Sequence, residues 1–420
     1  IMGNPPYSVG AKSENESAKN QVYEKLDKSI TDSYAKYSKS KSIRGIYDTY
    51  IKAYRWATDR IGEKGIIGFV TNGQFIDSQS ADGLRKCWFE EFNSIYVFNL
   101  RGDARTSGEL RKKEAGNVFG EGTRTPITIT ILVKDGSSDH NIYYKDIGDY
   151  LSREEKLSII ERSGSIRGID WTSIVPDKNN DWINQRDEQY EEFPTILGDV
   201  FYGKQDGIQS NRDSWVYNFS STSVQSNAER MIDNYNTEVN RLSSKTGEEK
   251  LSLLNTDEQY VSWSRSLKNK LKSNKIIVKK GYNAVVKSMY YPFVKKHLYY
   301  NREILEYPRI FDESLIDGNL MISVSGAGTK KGFSTFVTNT PPNYNMLDKG
   351  RHFELYTIPD KNALFSDSSN INETFEKDLG LKGYDAFAYI YGILHSKEYR
   401  EKYQNNLVKD LTKIPIVRNV

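Results

Sequence analysis

The sequence predicts an α/β sheet with crossover helices, followed by a second domain of mixed α+β structure. Three observations lead there. Helical and strand patterns alternate between residues 43 and 100, the signature of a sheet whose strands are joined by helices. The pattern changes after about residue 165, where polar connectors precede one long amphipathic helix. The length, 420 residues, suits two or three domains with cores of their own. The second domain is expected to start between 165 and 195, and the division is taken as 1–165 and 166–420.

Ile1-Met2 reads as the end of a strand that runs straight into Gly3-Asn4-Pro5-Pro6-Tyr7. A domain rarely opens on such a loop, so the chain is expected to be a fragment of something larger. Residues 8–42 are rich in Ser, Lys, Asn and Glu, a polar loop around one weak helix near 17–37. Ile43, Ile46, Tyr47, Tyr50, Tyr54, Ala57 and Ile61 then recur at helical spacing, and Gly62 closes the helix. Gly65 to Thr71 is a continuous apolar run, expected as a fully buried parallel strand. A helix over about 78–91 and a strand over 94–100 follow. Thr125 to Val133 alternates like an antiparallel edge strand, with Asn141 to Lys145 expected to pair with it.

Further along, Ser152 to Arg162 reads as a short helix. Val224, Ala228, Met231, Ile232, Tyr235, Val239 and Leu242 mark the apolar face of the long one. Ser325-Gly-Ala-Gly-Thr-Lys-Lys-Gly332 lacks the spacing of a phosphate-binding loop and reads as a turn joining 320–324 to 333–337 in a hairpin. Asp385 and Ser396 are expected to cap two closing helices, and Ile414 to Val417 to run extended.

Composition sets limits. Net charge is +3, too small to announce a nucleic-acid binder, so the distribution of charge carries the argument. Cys87 is the single cysteine, which excludes an internal disulfide and fits a reducing cytoplasm. No apolar run is long enough to span a bilayer, and the start is not a signal peptide. The histidines, at 140, 297, 352 and 395, have no metal-ligand spacing, so no metal is expected.

The densest chemical signal is Asn4-Pro5-Pro6-Tyr7. The prolines fix φ near about −65° and remove two donors. The Asn4 side-chain oxygen and the Pro5 carbonyl are left as outward acceptors, with Tyr7 as a flat face beside them. Two such acceptors can take both hydrogens of a planar –NH2 group, make its nitrogen more nucleophilic and stabilise the positive charge that develops on it. A plain turn ending a strand is the other reading.

The run resembles the catalytic motif of amino-methyltransferases. A leading Asn favours adenine N6 over cytosine N4, and the same four residues occur in enzymes that methylate a glutamine amide in release factors. The resemblance implies S-adenosylmethionine as cofactor, with its binding loop upstream of this chain. Gly120-Glu-Gly122 does not supply that loop, because it precedes a strand instead of opening a helix after one. Within the resemblance, Phe119 matches the aromatic that closes on a flipped base opposite the tyrosine. Tyr7 and Phe119 would then sandwich adenine, stacking being worth about 1–3 kcal/mol per base.

In the second domain, Gln209, Asn211 and Arg212 stand in a polar cluster that reads either as an ordinary turn or as side chains reaching base edges. From Gln259 to Arg302 there is no acid, while Lys279, Lys280, Lys295, Lys296 and Arg302 stand among interleaved aromatics. That stretch reads as a surface tracking DNA phosphates, or as a solvated basic face.

Several stretches together resemble the bacterial type ISP restriction–modification enzymes. They are Asn4 to Tyr7, Ile46 to Arg60, Asn117 to Phe119 with Thr125 to Val133, Tyr291 to Asn301, and Tyr389 to Arg400. The resemblance implies a nuclease, an ATPase motor, an N6-adenine methyltransferase and a target-recognition domain in that order. This chain would hold the C-terminal half of a Rossmann-like methyltransferase sheet and the mixed α+β recognition domain, acting on double-stranded DNA. A DNA-binding module without catalysis and a protein-glutamine methyltransferase are the alternatives.

Overall fold

The computed structural model describes residues 1–6, 23–40, 43–120, 122–309, 319–329, 331–357 and 369–417. Tyr7 and the polar stretch 7–22 lie outside the described residues. Packing divides the chain into two units, Ile1–Arg186 and Asp187–Val420. Among the described residues no helix is long and apolar enough to cross a membrane.

The first unit is a mixed six-stranded sheet with helices. In chain order its elements are β1 (Met2–Gly3), α1 (Glu24–Ile30), α2 (Thr49–Thr58), β2 (Gly65–Asn72), α3 (Asp82–Glu91), β3 (Ser94–Arg101), α4 (Gly108–Glu114), β4 (Ile127–Lys134), β5 (Asn141–Asp146), α5 (Arg153–Ser163) and β6 (Thr172–Ile174). The strand order is β1-β2-β4-β3-β5-β6. β1 runs parallel to β2 and β3 parallel to β5, while β4 is antiparallel to both its neighbours.

Three expectations are corrected here. β4 is a central strand, not an edge. Its alternating threonines suggested a wet face, but Thr128 is fully buried and donates to the Phe98 carbonyl at 2.9 Å. A short hydroxyl tolerates burial when it finds such an acceptor. β5 does not pair with β4; it pairs with β3. The link over 135–140 leaves β4 beside the start of β3, crosses that start and enters β5 on the far side. Asn93 holds the crossing, its Oδ1 accepting from Asp135 N at 2.9 Å and its Nδ2 donating to Ser137 O at 2.6 Å. The run 65–71 is not buried throughout either, since Ile66 is 56% exposed.

One face of the sheet is covered by an aromatic core. Tyr54, Phe75, Trp88 and Trp182 pack on one another, with Tyr54 and Trp88 ring centroids 4.6 Å apart. Trp182 belongs to the connector after β6. Beside it, fully buried Arg85 meets Asp181 at 3.0 Å and also donates to the carbonyls of Phe75, Ser78 and Asn180. The charge is thus paired and its donors are used, the condition for burying arginine. These contacts bind residues 180–182 into the first unit. Cys87 lies in this core, and burial pushes its thiol up to about 12, which suits packing and not nucleophilic work.

The second unit contains α6 (Asp213–Val216), β7 (Tyr217–Asn218), α7 (Ser221–Arg241), α8 (Gly247–Ser252), α9 (Arg265–Lys272), β8 (Val285–Tyr291), β9 (Val294–Tyr299), β10 (Met321–Val324), β11 (Thr335–Thr338), β12 (Arg351–Glu354), α10 (Glu373–Leu379), α11 (Gly383–His395), α12 (Lys397–Lys402) and α13 (Gln404–Lys409). Two three-stranded sheets, β7-β9-β8 and β11-β10-β12, each carry a core. All seven apolar positions expected on α7 are buried against the first of these. The hairpin joining β10 and β11 forms as expected. Ser396 caps α12 by accepting from Tyr399 N, but the N-cap of α11 is Lys382, and Asp385 sits inside its first turn.

Candidate nucleic-acid interface

In the first unit the strand directions bring two predicted elements to one end of the sheet. β1, β2 and β3 all run the same way, so their carboxyl ends share an edge. Asn4 is the first residue after β1, next to the pair Gly3–Phe69, three residues before β2 ends. Asn4 and Pro6 are exposed and Pro5 is half-buried. The connection from β3 to β4 leaves and re-enters at this same end, and it carries Phe119. Open sheets of this kind bind ligands outside the carboxyl ends of their parallel strands.

That connection is tied down. Asn117 Nδ2 donates to the carbonyls of Gly102 at 3.1 Å and Thr125 at 2.9 Å, drawing its two ends together. Asn117 Oδ1 accepts from Phe119 N at 3.0 Å. From α5, buried Lys156 donates to the carbonyls of Glu114 and Gly116, and Arg153 Nε to that of Val118 at 3.1 Å. Burial pushes the Lys156 ammonium down to about 8. Val118 plugs the core, whereas Phe119 is left 46% exposed.

One glycine turn does follow a strand here, Gly102 after β3. Its amide and that of Asp103 already donate to Glu114 Oε2, at 2.8 and 2.9 Å. A carboxylate of the protein itself fills this anion nest, so the turn does not fit an added cofactor.

In the second unit the basic stretch is less one-sided in space than along the chain. Lys270 and Lys275 meet Glu303, Lys272 meets Glu248, and Lys279 meets Asp233 at 2.7 Å. Lys296 lies over the Tyr290 ring, 3.7 Å from its centroid. Lys280, Lys295 and Arg302 are exposed, as is Lys287. Lys295 donates to the Asn339 side chain at 3.2 Å.

Of the three residues expected to reach base edges, the structure moves one inside. Arg212 has a fully buried side chain whose guanidinium donates to Ser264 Oγ at 2.5 Å and lies 3.7 Å from Glu306. Burial pushes it down to about 10. It is a core residue and not a surface contact, because its charge is matched by an acid distant in sequence. Asn211 stays exposed and its Oδ1 accepts from Gln209 Nε2 at 2.8 Å.

Gln209 lines a cleft of about 360 Å³ with Lys204, Asp206, Tyr307, Arg309, Lys349 and Arg351. Four cations face one carboxylate. Asp206 contacts Lys204 and lies 3.3 Å from Arg309. Burial works against its charge, yet the Lys204 contact and the nearby charges of Arg309 and Arg351 outweigh it and hold the carboxyl below its ordinary value. None of these cations belongs to the acid-free stretch, and they come from three separate segments, around 204, 309 and 349–351, so only folding brings them together.

Residues 199–420 match the type ISP C-terminal specificity domain. A nuclease-deletion mutant of the type ISP restriction–modification enzyme LlaGI, solved in complex with a DNA substrate mimic, is 44% identical over 100% of this chain, with a TM-score of 0.81. The chain belongs to the type ISP restriction–modification family. The ATP-dependent type ISP enzyme LlaBIII, solved bound to DNA, is 32% identical with a TM-score of 0.78, and DrdV in its DNA complex is 29% identical with a TM-score of 0.80. Both likenesses also cover 100% of this chain. The type ISP chain described here spans 40% of the LlaGI chain, 42% of DrdV and 28% of LlaBIII. No curated protein sequence matches it.

Proposed function

We propose that this chain is the DNA-specificity part of a type ISP enzyme joined to the carboxyl half of its Rossmann-like N6-adenine methyltransferase domain. What carries the reading is the match of residues 199–420 to a specificity domain, and the cationic cleft and the exposed lysines support a duplex-binding surface there. The solved relatives were captured with DNA or a mimic of it.

The catalytic half of the proposal rests on the shared edge of the first sheet. The Asn4 side-chain oxygen and the Pro5 carbonyl accept the two hydrogens of a flipped adenine amine, and Phe119 stacks on the base, with Tyr7 as its counterpart. Stacking of about 1–3 kcal/mol per base helps offset the few kcal/mol that unstacking costs. S-adenosylmethionine supplies the methyl group in such enzymes. Since the Gly102 turn does not fit it, its cradle is assigned to the part of the enzyme outside these residues. The nuclease and ATPase motor belong to that part as well, and the enzyme acts in the cytoplasm.

A second reading, a DNA-binding module that performs no catalysis by itself, is favoured by the specificity-domain match. Fluorescence anisotropy with labelled duplex, run as a salt series on the 420-residue chain, tests what both share. Salt-sensitive binding is expected, and absence of binding at low salt would overturn the DNA reading. Calorimetry with S-adenosylmethionine tests the assignment of the cradle, with no binding expected.

A further inference from the structure

We propose that the cleft of the second unit reads base edges in the major groove, with Arg351 selecting a guanine and Gln209 an adenine. The inference rests on the DNA-specificity reading above and names the residues that deliver it.

The donor and acceptor set decides between a base and a phosphate. A phosphate presents acceptors only, so its site is lined by donors, whereas a base edge presents donors and acceptors together. This cleft contains a carboxylate, Asp206, and a neutral amide, Gln209, beside Arg351. Asp206 is engaged by Lys204 and Arg309, which immobilises both cations and sets an acceptor among the donors, a mixture that suits a base edge better than a phosphate. The Arg351 side chain makes no hydrogen bond or ion pair among the described residues, so its planar fork is available for the O6 and N7 acceptors of guanine. Gln209 uses one amide hydrogen on Asn211. The other hydrogen and its carbonyl oxygen form the donor–acceptor pair that complements adenine N7 and N6.

The cleft is held ready by its backbone. Residues 205–209 form a thread bonded on both flanks. Gln205 and His352 exchange two hydrogen bonds, at 2.7 and 2.9 Å, and Gln209 and Tyr307 exchange two, at 3.1 and 2.9 Å. Tyr344 N also donates to Ile208 O at 2.8 Å. Gly207, at φ +77°, sits where a Cβ would lie 2.9 Å from the Tyr344 backbone, so only glycine allows this approach. A rigid frame positions Arg351 and Gln209 before the duplex arrives, which lowers the ordering cost of recognition.

The test selects binders from a randomised duplex library with the 420-residue chain, its Arg351→Gln and Gln209→Ala variants, and Lys287→Ala as a control outside the cleft. Thermal melting verifies that each folds. Arg351→Gln should lose preference for one guanine position by about tenfold to hundredfold and leave the other positions intact. Gln209→Ala should do the same at one adenine position, while Lys287→Ala keeps the wild-type motif. If one variant fails to fold, the other decides. Unchanged preference at every position, or equal weakening on all sequences as a phosphate contact would give, overturns the assignment and leaves the DNA reading standing. A wild-type chain that binds duplex without enriching any motif overturns the assignment too, and one that binds no duplex overturns both.

Discussion

Lys156 on α5 donates a hydrogen bond of 2.6 Å to the Gly116 carbonyl, and the same ammonium donates to Glu114 O. One buried cation thus satisfies two carbonyls just ahead of Phe119. A Cβ on Gly116 would come within 2.5 Å of Arg153 N, so the loop is pressed onto the helix that holds it.

Lys156→Met should therefore leave two carbonyls without their donor, at about 1–3 kcal/mol each. Hydrogen exchange over residues 114–120 should speed up while that of β2 and β4 stays slow. Unchanged exchange in the loop would show that Asn117 alone suffices to hold it.

Arg212→Ala should act on stability, not on DNA. It strips the partner from largely buried Glu306 and is expected to cost about 3–5 kcal/mol. Urea unfolding reads the loss, and duplex affinity per folded molecule should stay at the wild-type value. A selective loss of affinity would return Arg212 to the interface.

The contrast between Arg212 and α7 shows what could be read from the chain. The α7 pattern repeats over six turns, and every position it marks is buried, because a helical period is local. Arg212 stands among turn residues, and nothing nearby in sequence signals that Ser264 and Glu306 will enclose it. The same holds for β5. A six-residue link normally makes a hairpin, and only the side chain of Asn93, more than forty residues upstream, turns it into a hop across β3. Asn4 and Pro5 stand together in one motif, and the strand directions bring the connection that carries Phe119 to the same end of the sheet. The cleft of Arg351 and Arg309 was not legible, because its lining comes from segments far apart in sequence.

Stability of the second unit should depend on pH through Glu354. Burial raises its carboxyl to about 7 from the ordinary 4.5. The folded state then holds a proton that the unfolded chain has released, so this contribution is complete below about 4.5 and is lost as pH rises through about 7. Glu354→Gln should raise the melting temperature at pH 8, by about 3 kcal/mol in stability, and change it little at pH 4.5. His352 on the same strand works in the opposite sense. Burial pushes it down to about 3, so it lowers stability as pH falls below about 6.5. Equal melting shifts for Glu354→Gln at both pH values would contradict the assignment.

The ion pairs of the basic stretch separate two sets of lysines. Replacing Lys280, Lys287, Lys295 and Arg302 with Ala should flatten the slope of log K against log salt, by about 0.9 for each phosphate left without its cation. Replacing Lys270, Lys272 and Lys275, which face Glu303 and Glu248, should leave that slope nearly unchanged. Equal effects from both sets would mean that the carboxylates do not withhold these cations from DNA.

Asn4→Ala in an intact enzyme that carries this chain should lower methylation by about 10²–10³-fold while duplex affinity holds, since the missing acceptor acts on charge that appears only in the transition state. Wild-type methylation by the variant would reduce the motif to a turn.

The doubly bonded thread over 205–209 separates scaffold from readout. Its bonds run between main-chain groups, which are alike for almost every amino acid, while the cations and the amide that face the cleft project from it and from its flanks at 307–309 and 349–351. Exchanging those side chains leaves the bonds in place. An enzyme line built this way can drift from one target sequence to another by single substitutions, each intermediate folding as its parent did, so new specificities are reachable without passing through a broken protein.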